Sequence, residues 1–155
     1  MTIYLVRHGS AGSRNESDPH DLERHLDSGG RRQATQLVDV LAAQPIDVVH
    51  SSPAPRCIES VEPLANSRGL SITTERSLLE GSPIDEAWNL VESLASAGRH
   101  AVLCSHGDVI PDIVRRAQAR GMDVPGKSGC SKGSLWTLRW DQGRFDQGIY
   151  TPNKA

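Results

Sequence analysis

Short apolar runs alternate with longer amphipathic segments along most of the chain, in the order strand then helix. Residues 1–6 (MTIYLV) form a β-rich run that ends in charge and glycine, the pattern of a buried strand opening into a loop. The segment 9–25 is polar and carries Gly12, Asn15, Asp18 and Pro19, so it reads as an irregular surface loop. Asp27 or Ser28 then caps a helix with Gly30, Ala34, Leu37, Val38 and Leu41 on one face, and Pro45 stops it. A second strand follows at 46–50. Ser52-Pro53 starts a helix over 54–67 that Gly69 closes, and 70–74 is a third, weaker strand.

Pro83 opens another helix, with Ala87, Leu90, Val91 and Leu94 on one face and Gly98 at its end. The continuous apolar run 100–104 (HAVLC) is a strand, 108–120 its following helix, and 124–133 a loop. Residues 134–140 (SLWTLRW) alternate as a strand, and Gly143 turns the chain toward a last strand at 144–149. Trp136 and Trp140 in that alternation read as core or sheet-face packing. Strands alternating with helices over the first 120 residues predict a three-layer α/β/α sandwich with a mostly parallel sheet, residues 1–155 forming one domain.

Composition narrows the function classes. At 155 residues, 37% apolar and 23% charged, the chain has the make-up of a globular protein able to bury a core. A net charge of -2 offers no general attraction for nucleic acid or an anionic membrane, so anion binding rests on a few placed arginines. The Arg31-Arg32 and Arg115-Arg116 pairs fall on amphipathic helices as solvated faces, and aromatic residues at 4% give no base-stacking platform. No apolar run is long enough to span a bilayer, and no signal peptide is expected. Cys57, Cys104 and Cys130 are odd in number and lack CxxC spacing, which suggests reduced thiols in a cytoplasm. Nothing in the sequence marks an oligomeric state.

The chemistry sits at strand ends. His8 lies in Arg7-His8-Gly9 after the first strand, and His106 lies in Ser105-His106-Gly107 after the fourth. Open α/β sheets bind ligands beyond the carboxyl ends of their strands, and glycine there lets backbone approach a ligand. The helix starting near Asp108 points free N–H groups at an anion, and Arg7 adds a phosphate fork beside His8. The second strand delivers Ser51-Ser52-Pro53 and then Arg56 to the same edge. By contrast, His20, His25, His50 and His100 have no such neighbours and read as ordinary hydrogen-bonded groups.

Taken in order, Leu5-Val6-Arg7-His8-Gly9, Leu26, Gly30, Gln33-Ala34, Ser51-Ser52-Pro53 with Arg56, Glu80-Gly81 and Ser105-His106-Gly107 resemble the histidine phosphatase superfamily, in its phosphoglycerate-mutase-like branch. In size the chain looks most like the SixA-type phosphohistidine phosphatases, and it is also similar to the phosphatase half fused to some Nudix hydrolases. The resemblance implies a phosphoglycerate-mutase-like fold and a phosphatase that needs no metal or other cofactor. His8 would be the nucleophile, and Arg7, Arg56, His106 and the backbone at Gly9 would hold the phosphoryl group. Glu80 matches the family's usual acid position, with Asp108 as the rival proton donor.

Departures from the family pattern matter too. Arg14 stands where an asparagine is frequent, and Arg24-His25-Leu26 replaces arginine-proline-leucine, so Arg14 and Arg24 are candidate substrate contacts. The long insertions that close over sugar phosphates in the mutases are missing, which predicts an open, shallow site. Such a site suits a phosphohistidine carried by a protein, with small phosphomonoesters including nucleotides as the alternative. A non-catalytic phosphate- or phosphoprotein-binding module is the remaining class. Gly129-Cys130-Ser131-Lys132-Gly133 fits a nucleophile-elbow spacing, but a loop precedes it and a strand follows, the reverse of what that motif requires. Neither Cys57 nor Cys104 has an arginine six residues on, which excludes the cysteine-phosphatase loop.

Overall fold

In the computed structural model, residues 1–15 and 17–155 are described; Glu16, within the segment read as loop, lies outside them. Six strands form one sheet: β1 (Thr2–Arg7), β2 (Val48–Ser51), β3 (Ile72–Thr74), β4 (Ala101–Ser105), β5 (Leu135–Asp141) and β6 (Arg144–Thr151). Their spatial order is β3-β2-β4-β1-β5-β6. The first four pair in parallel, whereas β5 runs antiparallel to β1, and β6 antiparallel to β5. The β5–β6 turn has Gln142 at φ 52 and Gly143 at φ 79, the pair of positive values that a two-residue hairpin needs to match strand twist.

Four helices cover the sheet: α1 (Ser28–Val40), α2 (Pro55–Arg68), α3 (Ile84–Ser96) and α4 (Val109–Ala119). Strand alternation decides which pair each residue meets. Tyr4 and Val6 of β1 and Val102 and Cys104 of β4 pack with Leu37, Leu41, Val61 and Leu64 of the α1–α2 layer. Ile3, Leu5, Ala101 and Leu103 face the other way, onto Val91, Ile110 and Ile113 of the α3–α4 layer. This is the expected three-layer sandwich. Both central strands are buried on each face, which is why they read as unbroken apolar runs.

The caps fall where the sequence put them. Asp27 Oδ1 accepts from Gly30 N at 2.9 Å at the start of α1, and Gly69 ends α2 in the left-handed region at φ 64. Trp136 is buried and Trp140 packs edge-on against Phe145 at 4.8 Å, both on the sheet. Among the described residues of 9–25, the expected loop carries one 3-10 turn, over Asp21–Glu23. No helix among the described residues is long and apolar enough to cross a membrane.

Candidate active site

Because β2, β4 and β1 are parallel neighbours, their carboxyl ends open on the same side. Pairing continues one residue past the strands: His8 N donates to Ser105 O at 3.1 Å, and Ser52 N to Cys104 O at 2.9 Å. The two histidines and the start of α2 are thus held at fixed spacing by backbone.

His8 and His106 meet edge-on, ring centroids 5.4 Å apart. His8 Nδ1 lies 2.8 Å from the Gly9 carbonyl, an acceptor, so Nδ1 carries the proton and Nε2 the lone pair. That Nε2 lies 3.4 Å from Arg56 Nε, and His106 Nδ1 lies 3.5 Å from Arg56 Nη2. One edge of the Arg56 guanidinium therefore faces both imidazoles. Its remaining nitrogen, Nη1, donates to the carbonyls of Asp21 at 3.4 Å and Leu22 at 3.2 Å. Arg56 and His106 are 1% exposed and His8 6%. Burial pushes the His8 imidazole down to about 3, and the neighbouring His106, Arg56 and Arg7 push it the same way against the Gly9 hydrogen bond. A neutral imidazole beside a guanidinium fork is a nucleophile already facing an anion site.

Arg7 enters the site across Gly107. An ideal Cβ on Gly107 would lie 2.8 Å from Arg7 Cζ, so only glycine lets the guanidinium lie flat on that backbone. Arg7 Nη1 donates to Cys130 O at 2.6 Å, while its buried Nε has no partner among the described residues. Gly9 N donates to Ser60 Oγ at 2.9 Å, and Ser60 Oγ to Arg56 O at 2.6 Å, so the Gly9 turn is pinned to α2. Among the described residues no three His, Cys, Asp or Glu side chains group as metal ligands.

Residues 3–83 match the profile of the Histidine phosphatase superfamily (branch 1). The chain belongs to that superfamily. An 8-oxo-(d)GTP phosphatase of Mycolicibacterium smegmatis is 34% identical over 147 residues, covering 93% of this chain and 46% of that protein. The chain thus spans about half the length of the curated relative it matches. The protein histidine phosphatase SixA complexed with tungstate superposes with a TM-score of 0.75 at 21% identity, over 98% of this chain and 95% of that one. Bacillus stearothermophilus YhfR gives 0.76 at 18%, over 93% of each chain. A mycobacterial glucosyl-3-phosphoglycerate phosphatase gives 0.73 at 19%, over 97% and 96%. These likenesses show the shared fold.

The loops of this histidine phosphatase chain refine the other candidates. Asp108 has both carboxylate oxygens engaged: Oδ1 accepts from Val109 N at 2.9 Å as the α4 cap, and Oδ2 from Gly81 N at 2.8 Å. It ties the Glu80–Gly81 turn to the end of β4, as does Ser105 Oγ donating to Leu78 O at 2.6 Å. Glu80 stays part-exposed, with Oε2 3.7 Å from Arg14 Nη2. Arg24 is turned back into its own loop, on Asp21 Oδ1 at 2.9 Å and Ala11 O at 2.6 Å. The Asp21–Glu23 turn brings the Asp21 and Leu22 carbonyls onto Arg56 Nη1. A polar loop sequence gives no sign of this, since backbone carbonyls carry no sequence signature. Ser60 was legible in principle, four residues after Arg56 on the same helix face.

Proposed function

We propose that the chain is a phosphatase working through a phosphohistidine on His8. The observation that carries this reading is the Arg56 fork facing His8 Nε2 and His106 Nδ1 together, with His8 held neutral. A phosphoryl group seated on that fork puts phosphorus in front of the His8 Nε2 lone pair. Nε2 forms the bond to phosphorus as the bond to the leaving group breaks, and Glu80 supplies the leaving atom's proton. Arg7 Nε, buried with no acceptor among the described residues, gains one in a phosphoryl oxygen. His106, as imidazolium, and Arg56 stabilise the charge that develops. Water then attacks phosphorus, with Glu80 taking its proton, and releases phosphate and neutral His8.

The favoured donor is a phosphohistidine carried by a protein. None of the chain's six Phe, Trp and Tyr residues falls in 9–25 or 79–83, two of the segments bordering the cradle, which favours a donor that needs no base stacking there. A small phosphomonoester, nucleotides included, is the second reading, favoured by 34% identity to a protein named 8-oxo-(d)GTP phosphatase. The test is turnover, in excess chelator, of a phosphohistidine protein beside a panel of nucleotides and sugar phosphates, with His8→Ala as control. Preference for the phosphoprotein supports the first reading, and preference for one nucleotide the second. Absence of all turnover, with phosphate still bound, would leave only a binding module.

A further inference from the structure

In the sequence Ser52 belongs to the Ser51-Ser52-Pro53 run that the second strand delivers to the site edge, and the reaction above gives it no part. Yet it is fully buried directly behind His106, with Oγ 2.8 Å from Nε2. For the neutral ring, the polar atoms around His106 permit one arrangement of protons. Nδ1 faces Arg56 Nη2 at 3.5 Å, and a guanidinium can only donate. If Ser52 donated to Nε2, the ring proton would sit on Nδ1, and two buried donors would meet with no acceptor between them. With the proton on Nε2, Ser52 Oγ accepts it, Nδ1 accepts from Arg56, and both nitrogens are satisfied. Ser52 Oγ also accepts from Ala54 N at 3.3 Å, and Cys57 Sγ lies 3.5 Å from Nε2. Cys57 in turn donates to Ser105 O at 3.7 Å.

We infer that Ser52 is a positioning residue that holds His106 with its proton on Nε2 and presents Nδ1 to the substrate phosphoryl group. The consequence for turnover rests on the phosphatase reading; the tautomer itself does not. A hydroxyl that only accepts serves both states of the ring, since the neutral Nε2–H form and the imidazolium each donate to it. Other charges around the ring are fixed by the fold. His8 and Arg7 come from the end of β1, Arg56 and Cys57 from α2, and Asp108 from the cap of α4.

Long-range 1H–15N correlation spectra of the ligand-free wild-type protein decide the tautomer without any variant. The expected result is His106 protonated on Nε2 and bare on Nδ1; protonation on Nδ1 alone would overturn the inference. Ser52→Ala removes the acceptor. It should lower kcat about tenfold with little change in KM, and move the alkaline limb of kcat/KM down by about one pH unit, since a hydrogen bond to the charged form favours it. Ser52→Thr, which keeps the hydroxyl, should restore both. Ser52→Ala with kcat and alkaline limb unchanged at wild-type Tm would refute the role. Loss of activity in His8→Ala alongside an unaffected Ser52→Ala would leave the phosphatase reading standing and remove only this one.

Discussion

Gly107→Ala separates catalysis from stability more cleanly than removing any charged residue. The added Cβ would sit 2.8 Å from Arg7 Cζ and 3.0 Å from its Nε and Nη2. Ordinary carbon contacts lie at about 3.5–4.0 Å, so the guanidinium must retreat by roughly 0.7–1.2 Å. It cannot do so freely, because Nη1 is held on the far side by Cys130 O at 2.6 Å. A displacement of about 1 Å in a group that positions the reacting phosphoryl can cost about a hundredfold. We therefore expect kcat/KM to fall roughly 30–100-fold. Stability should not follow. Gly107 is not among the glycines with positive φ, so alanine adopts its backbone, and the less flexible unfolded chain favours the variant by up to about 1 kcal/mol. The assay is kcat/KM on an aryl phosphate beside thermal denaturation. In an Arg7→Ala background the Gly107→Ala change should cost almost nothing further, because its target is gone. A single variant within about twofold of wild type in kcat/KM would refute the steric argument.

Gly30→Ala should do the opposite: its Cβ would lie 2.1 Å from the Ser10 carbonyl oxygen and 2.8 Å from Leu26 Cδ2, and buried backbone cannot yield as a side-chain tip does. A loss of about 1–3 kcal/mol in urea unfolding is expected, and an unchanged midpoint would contradict it. Glu80→Gln should slow alkyl phosphates, with their poor leaving groups, at least about tenfold more than aryl phosphates; equal slowing of both would remove Glu80 as proton donor. Stability should fall as pH drops below about 6.5, because unfolded His8 takes up a proton near 6.5 while the folded residue resists until about 3. Asp27 adds to the fall at lower pH. Hydrogen bonds from Ser10, Gly30 and Gly12 hold its carboxyl at about 2 against the ordinary 3.8, so the stability it gives above 3.8 is lost as pH falls toward 2. His8→Gln should flatten the urea midpoint between about pH 6 and 4, and an unchanged slope would place the proton uptake elsewhere.

Hydrophobic periodicity, caps and glycines act over a few residues, so the sequence alone determined the order of elements, the three layers, the strand ends that bear His8 and His106 and the helix start that bears Arg56. Unbroken apolar runs at 1–6 and 100–104 dictated burial on both faces, and burial on both faces demanded helices on each side. Which loop meets which was a matter of sheet order. Asp108 caps its helix as its position suggests, but only the juxtaposition of the β4 end with the turn at 81 gives its second oxygen Gly81 N, 27 residues away. Arg7 reaches Cys130 across 123 residues because β5 lies beside β1. Arg24 turns inward because Asp21 and the Ala11 carbonyl offer partners that solvent-facing charge lacks. Ser52 sits behind His106 because β2 and β4 pair in parallel and end together. Local patterns specify segments; contacts between distant residues follow from strand order and register, to which no single residue type is the key.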